Sequence, residues 1–220
     1  MNRLHIIGAG GFGREVLAWA LDIPQADWYV EGFLDANPQA LESFSCPYNI
    51  LGNPETFSPS ESDLFVCAVG DPIIRLRLCR KLKERGATFL TLIHPTALVG
   101  PRCKIGEGCI LCPGAVLTTD ISIGNYVTLN AYATVGHDVI MKDGCTLSGH
   151  SDVTGAARLG EGVFVGSHAA VLPRVTVGDY AVIGAGSIAL RNVKPYSTVM
   201  GIPAKVIYTA SPPQNRLKDE

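Results

Sequence analysis

Residues 129–153 read LNAYATVGHDVIMKDGCTLSGHSDV, and within them an aliphatic side chain returns at every sixth position: Leu129, Val135, Met141, Leu147 and Val153. The series continues without insertion in both directions, from Ile93 through Val99, Ile105, Leu111, Leu117 and Ile123 on one side to Leu159, Val165, Val171, Val177, Ile183 and Ala189 on the other. Only Ala189 departs from Ile, Leu, Val or Met. Four residues after each aliphatic stands a small or β-branched residue, as in Ala133, Val139, Cys145 and Ala157. A period of six matches neither a helix nor a half-buried strand, and self-similarity at a fixed period marks a stacked architecture. One short strand and one tight turn use up one six-residue unit, so three units close an 18-residue triangular coil. Residues eighteen apart then become stacked neighbours separated by about 4.8 Å, with the aliphatic column filling the prism. The Gly that often follows the aliphatic (Gly100, Gly106, Gly124, Gly136, Gly160, Gly166, Gly178, Gly184) relieves crowding where the chain bends. A β-sandwich would need turn signals about every 8–12 residues and loops of variable length, which uninterrupted hexads do not supply. The second half of the chain is therefore expected to be a parallel β-helix.

Upstream of the hexads the pattern changes. Leu4-His5-Ile6-Ile7 reads as a short buried strand, Gly8-Ala9-Gly10-Gly11-Phe12-Gly13 as a glycine turn and Arg14–Leu21 as a helix, which together open a βαβ unit. Gly8, Gly10 and Gly13 satisfy G-x-G-x-x-G, and Gly11 lies in the same loop, whose amides and helix N-terminus favour an anion. The next strand, Val30–Leu34, ends in Asp35, where a carboxylate can accept hydrogen bonds from a ribose or base. A further strand spans Leu64–Val69 and an amphipathic helix Pro72–Arg85. Only some 90 residues precede the hexads, too few for two βαβαβ halves, so NAD is disfavoured relative to a smaller diphosphate such as a UDP-sugar.

The chain has 220 residues, a hydrophobic content of 47% and a formal charge of −2 without basic runs. That composition supports a sizeable core and gives no electrostatic footprint for nucleic acid. No apolar stretch reaches the roughly 18 residues a membrane span needs, and the N-terminus lacks a signal-peptide pattern, so the cytoplasm is the expected compartment. Seven cysteines form an odd set with one C-x-x-C, Cys109 and Cys112, and no second pair or His cluster of zinc-site spacing. Reduced structural thiols and no metal are expected.

Chemistry concentrates at one hexad. General base catalysis at neutral pH needs a side chain with a pKa near neutrality, and imidazole suits that role best. Of five histidines, His137 stands at an outward position in Val135-Gly136-His137-Asp138, beside a carboxylate that can orient its ring. Gly155 follows one coil later, which places its N–H near the imidazole. His150 and His168, also eighteen apart, should stack on one face near Tyr132.

The hexads resemble those of the hexapeptide-repeat acyltransferases, whose coil is left-handed, and Gly201-Ile202-Pro203-Ala204-Lys205 is similar to that family's closing G-x-P-A-K motif. Together with the glycine loop and the Phe33-Leu34-Asp35 strand end, the chain resembles the sugar O- and N-acyltransferases of the sialic-acid and bacillosamine type from residue 3 to about 207. Phe12 stands where many relatives carry His. The resemblance implies an α/β Rossmann-like nucleotide-sugar domain over 1–92, an all-β left-handed parallel β-helix over 93–207 and a tail over 208–220. It implies acetyl-CoA as co-substrate, a UDP-linked amino sugar as acceptor and a homotrimer with CoA between adjacent β-helices. Carried over residue by residue, it makes His137 the catalytic base, Asp138 its partner and Gly155 the oxyanion donor. Asn130 would contact the substrate along with the glycine loop and Asp35, while His150, Gly184, Ala185, Gly186 and Lys205 would border CoA. O-acetylation of a sialic-acid-like sugar and a non-catalytic sugar-nucleotide scaffold are the alternatives.

Overall fold

The structure, a computed structural model, describes residues 1–24 and 26–210. Its first part is a parallel sheet of five strands: β1 (Asn2–Ile7), β2 (Trp28–Leu34), β3 (Ile50–Gly52), β4 (Asp63–Cys67) and β5 (Thr88–Phe89), in the order β3-β2-β1-β4-β5. Helix α1 (Gly11–Leu21) connects β1 to β2, and α2 (Pro72–Glu84) connects β4 to β5. α1 begins three residues earlier than the sequence pattern indicates, so Gly11 and Gly13 belong to its first turn and Gly10 is its N-cap. The reason lies at Gly13, where a Cβ would meet the Gly8 carbonyl oxygen at 1.9 Å. Only glycine lets the helix pack this close to the strand it follows.

The second part is the expected parallel β-helix. Two-residue strands repeat from Leu92–Ile93 to Ile188–Ala189, and those up to Ala170–Val171 each pair with the strand eighteen residues on, as in Thr134 with Asp152 and Val135 with Val153, whereas at the top Val182 pairs with Thr198. The hexad aliphatics from Leu111 to Ile183 point inward and are buried, with Cys109, Ala115, Ala133, Cys145 and Ala157 packed among them. Ile93 and Val99 differ: they are 38% and 42% exposed, because no coil lies beneath the first turn. The chain closes with a hairpin of Ser197–Gly201 and Ala204–Thr209. Residues 211–220 of the expected tail lie outside the described residues.

Backbone conformation at the corners explains the glycine spacing. The glycine after each aliphatic does not adopt positive φ; its missing Cβ clears the coil above, where one at Gly100 would lie 1.5 Å from the Thr118 carbonyl oxygen. Left-handed conformation falls two residues later, at Arg102, Asp120, Asp138, Ala156 and Arg174 on one corner, and at Tyr132, His150 and His168 on another. Asp is among the residue types that tolerate this region best, whereas the bulkier side chains are held there by the coils on either side.

The three faces of the prism are chemically unequal. One, presenting Ile110, Thr128, Thr146 and Phe164, is roofed by the N-terminal domain. Arg75 of α2 holds the roof in place: at 1% exposure it donates from Nε to the Tyr126 carbonyl (3.0 Å), from Nη1 to that of Val69 (2.7 Å) and from Nη2 to the Gly144 carbonyl and Thr146 Oγ1 (both 2.7 Å). Leu76 occupies the space a Cβ at Gly144 would need, and Arg80–Glu161 and Lys83–Glu107 ion pairs flank the seam. The second face is polar, with Lys104, Ser122, Ile140, Arg158 and Thr176 turned outward. The third presents Leu98, Val116, Thr134, Asp152, Ala170 and Ile188, mostly small or apolar and uncovered in the single chain.

Candidate functional site

His137 lies at the corner between the small-residue face and the polar face, just after the strand Thr134–Val135. Its Nδ1 is 2.7 Å from Asp138 Oδ2, and the two side chains are 65% and 62% exposed. With Nδ1 carrying the proton donated to the carboxylate, Nε2 is left with a lone pair. The ring lies over Gly155: a Cβ there would be 2.6 Å from Nε2 and 2.7 Å from Cε1. Among the described residues the Gly155 N–H has no acceptor, whereas the next amide, that of Ala156, donates to the His137 carbonyl at 2.8 Å. The corner therefore sets an unoccupied proton acceptor against an unoccupied hydrogen-bond donor. One coil below, Asp120 is bound by Arg102 through Nε (2.5 Å) and Nη2 (2.8 Å), and hydrogen bonding from this guanidinium holds its carboxyl down at about 2.

Asn130 is at the other end of the same prism edge, at the corner between the roofed face and the small-residue face, so one chain does not bring it to His137. That second corner carries the residues expected to border CoA. Tyr132, His150 and His168 form a ladder there, with ring centroids 5.1 Å and 4.9 Å apart and planes inclined by 11° and 1°. Gly184, Ala185 and Gly186 continue the corner one coil higher, where the Gly186 amide donates to the Ser167 carbonyl at 2.8 Å. Lys205 pairs across the closing hairpin with Met200, whose methyl is 3.0 Å from the Cβ position of Gly184.

The glycine loop opens onto a pocket of about 190 Å³ at the carboxyl ends of β1, β2 and β4, lined by Gly8, Asp35, Asn53, Glu55, Val69 and Arg77. This is the crevice where the strand order reverses, the usual ligand position in an open α/β sheet. The two helices beside it differ at their N-termini. Asp71 caps α2 by accepting from the Ile73 and Ile74 amides at 2.8 and 3.0 Å, whereas α1 starts at Gly10 with no side-chain cap and no acid in its first turn. The amides of α1 are the ones left for an anion. Asp35 is more constrained than the sequence suggests: Oδ2 accepts from the Ala9 amide and Oδ1 from the Asn37 amide, both at 2.8 Å. It ties the loop to the end of β2, keeping its remaining lone pairs for a ligand.

Sequence reasoning missed Glu55 and Arg77 at this pocket. It also missed a cavity of about 270 Å³ in the seam between the two parts, where Gly70–Ile73 meet Phe164, Tyr180 and Tyr196. Cys109 and Cys112 point to different cores, the first into the prism and the second toward α1, so they do not form a paired ligand site. No helix among the described residues is long and apolar enough to cross a membrane.

The fold, a parallel β-helix behind an α/β domain with a parallel sheet, matches that of solved acetyltransferases, and two family models match parts of the chain. Residues 3–82 match the family model described as the PglD N-terminal domain, and 156–188 match that described as bacterial transferase hexapeptide (six repeats). Among solved structures, the acetyltransferase domain of PglB from Neisseria gonorrhoeae superposes with a TM-score of 0.86 at 28% identity, covering 94% of this chain and 100% of that one. PerB from Caulobacter crescentus, solved in complex with CoA and GDP-perosamine, gives 0.85 at 28% identity, covering 94% and 98%. GDP-perosamine N-acetyltransferase from Escherichia coli O157:H7 is 26% identical over 196 residues, 84% of this chain and 85% of that protein. The chain also matches serine acetyltransferases, but it spans less than two thirds of their length, 47% for that of Buchnera aphidicola and 59% for that of Mycobacterium tuberculosis.

Proposed function

We propose that the chain is an acetyl-CoA-dependent N-acetyltransferase that acylates the amine of a nucleotide-linked amino sugar, with His137 as general base. The observation that carries this reading is the His137–Asp138–Gly155 corner, where a carboxylate fixes one ring nitrogen and the other lies against a donor without an acceptor. The neutral amine attacks the thioester carbonyl carbon. His137 Nε2 removes the ammonium proton as the C–N bond forms, and the Gly155 N–H meets the oxyanion. Collapse breaks the C–S bond, and the imidazolium returns its proton to the departing CoA thiolate. Asp138 keeps the ring in the required tautomer throughout.

The sugar's diphosphate binds at the α1 amides and the Gly8–Gly13 loop, with the nucleoside in the pocket beside Asp35. A UDP sugar of the bacillosamine type is our reading of the acceptor. A GDP-linked 4-amino sugar is the second reading, favoured by the perosamine enzymes among the relatives. Support for a homotrimer comes from the faces: one is roofed, one is polar, and only the small-residue face is left to receive a second copy. Its two bordering corners carry His137 on one side and Asn130 with the ring ladder on the other, so self-association through this face brings a base and a substrate-contacting corner together between chains.

The test is release of free CoA from acetyl-CoA with UDP-4-amino sugars, GDP-4-amino sugars, CMP-sialic acid and free sugars, alongside His137→Ala. Release with an amino-sugar nucleotide that falls on the order of 10²-fold or more in the variant supports the proposal. Release with a hydroxyl acceptor alone would instead make the protein an O-acetyltransferase, and release with none would make it a scaffold.

A further inference from the structure

The corner that carries His137 is also a column in which one residue per coil holds the left-handed conformation: Arg102, Asp120, Asp138, Ala156 and Arg174. Asp120 and Asp138 are therefore stacked neighbours, and the Asp138 amide fixes the register between their coils by donating to the Thr119 carbonyl at 3.3 Å. Two carboxylates thus lie about one coil apart, roughly 4.8 Å along the axis, beside a single imidazole. Only one of them serves the ring: Asp138 Oδ2 is 2.7 Å from Nδ1. The other is taken by Arg102, whose Nε and Nη2 bind the two oxygens of Asp120 at 2.5 and 2.8 Å. Thr119 Oγ1 completes the clamp, 3.0 Å from Nη2 and 2.9 Å from Asp120 Oδ2. A two-pronged contact of this kind fixes direction as well as distance.

We propose that Arg102 is a positioning residue for the base: by clamping Asp120 and cancelling its charge, it leaves Asp138 as the one carboxylate acting on His137 and so sets the charge state of the imidazole. The inference rests on the reading of His137 as general base. Its argument is one of sign. A carboxylate alone at 120 would favour imidazolium and a guanidinium alone at 102 would oppose it, whereas the two joined largely cancel at the ring. The coupling is visible from the Asp120 side, where the charge at His137 is among the causes that hold this carboxyl down, after the hydrogen bonds from Arg102 and Thr119. Such an interaction is reciprocal. The other charged groups around this corner are Asp138 on the same coil, Arg174 on the coil above Ala156, Arg158 on the polar face and Asp152 on the small-residue face, where Thr134 Oγ1 donates to it at 2.5 Å. Among the described residues none of these is bonded to the Arg102–Asp120 pair, so the pair can be altered by itself.

The experiment is an NMR titration of the five histidine rings in the full chain, with the His137 signal assigned by its loss in His137→Ala. Arg102→Gln removes the charge and keeps a hydrogen-bonding side chain, and Asp120→Asn places at 120 a residue that tolerates the left-handed conformation. Both positions are exposed, with side chains at 68% and 38%, and neither enters the core, so the variants fold. At low ionic strength the His137 midpoint should rise by about half a pH unit in Arg102→Gln and fall by about half a unit or more in Asp120→Asn. It should lie within about 0.2 unit of the unmodified value in the double variant and in Arg102→Lys, where charge is balanced again. A pair with a merely structural role would move both single variants in the same direction or not at all. Either of those results overturns the proposal, as does a double variant whose midpoint fails to return. Where acetyl transfer is observed, the acid limb of kcat/KM should move with the midpoint. The titration needs neither donor nor acceptor, so failure of transfer with every sugar sinks the functional reading and leaves this measurement standing.

Discussion

Replacing Gly155 by alanine isolates the geometry of the base from its chemistry. The added methyl would sit 2.6 Å from His137 Nε2 and 2.7 Å from Cε1, whereas non-bonded carbon contacts settle near about 3.5–4.0 Å. The ring must retreat by roughly 1 Å, and its 65% exposure gives it room to do so. Stability should therefore change by less than about 1 kcal/mol, since the backbone at 155 is not left-handed and no core contact is lost. Activity responds differently, because a displacement of about 1 Å from productive geometry is enough to cost on the order of 10²-fold. The expected outcome is a kcat reduced about 100-fold, with KM for both substrates within about threefold and an unchanged melting temperature. CoA release followed with a thiol reagent gives the kinetic values, and scanning fluorimetry gives the melting temperature. A Gly155→Ala enzyme working within about threefold of the unmodified rate would refute the placement of catalysis at this corner.

Four further outcomes follow from named contacts. Asp138→Asn keeps an acceptor for Nδ1 but removes the charge that stabilises imidazolium, so kcat should fall about tenfold or more in the same assay. Arg75→Met leaves several buried carbonyls and Thr146 Oγ1 without their donor, and at about 1–3 kcal/mol for a buried unsatisfied group the melting temperature should drop by roughly 5 °C or more. At Asp63 burial acts to raise the carboxyl pKa, but hydrogen bonds from His5 and from the Ser60 amide and hydroxyl prevail and hold it below its ordinary value. The stabilisation this gives is complete above the ordinary carboxylate range and is lost as pH falls through the folded value, so melting temperatures measured from about pH 6 to 3 should decline less steeply in Asp63→Asn. Burial pushes the Cys109 and Cys145 thiols up to about 12, whereas Cys46 and Cys103 are only half-buried. Iodoacetamide at pH 8 should label Cys46 and Cys103 in the native protein and reach Cys109 and Cys145 only on unfolding, as read by peptide mass mapping.

The β-helix was legible because a stacked coil constrains every sixth residue to the same environment, and Leu111, Leu129, Leu147 and Val165 repeat that constraint where each can be checked against the next. The ring ladder followed from the same register. β3 and β5 were not read, since three and two residues carry too little periodicity and gain their place from the sheet edges they complete. The reading of an amphipathic helix over Pro72–Arg85 did not single out Arg75, yet it shares a stripe with Cys79 and Leu82, four and seven residues on, and that spacing was the available signal. Asp35 was correctly placed at a strand end, but only coordinates reveal that both its oxygens already hold loop amides. Asn130 lies seven residues from His137 in sequence and a full prism edge away in space, because a strand crosses between them.

Between residues 92 and 189 the offset of eighteen between paired strands makes the shaft a ruler graduated in whole coils. Lengthening or trimming it by one graduation leaves the angular position of every remaining side chain unaltered, whereas removal of one residue rotates all that follows by part of a turn. Reach and alignment are thus separable quantities in this architecture, and the span between a thioester and the far end of its carrier can be altered without re-aiming the imidazole.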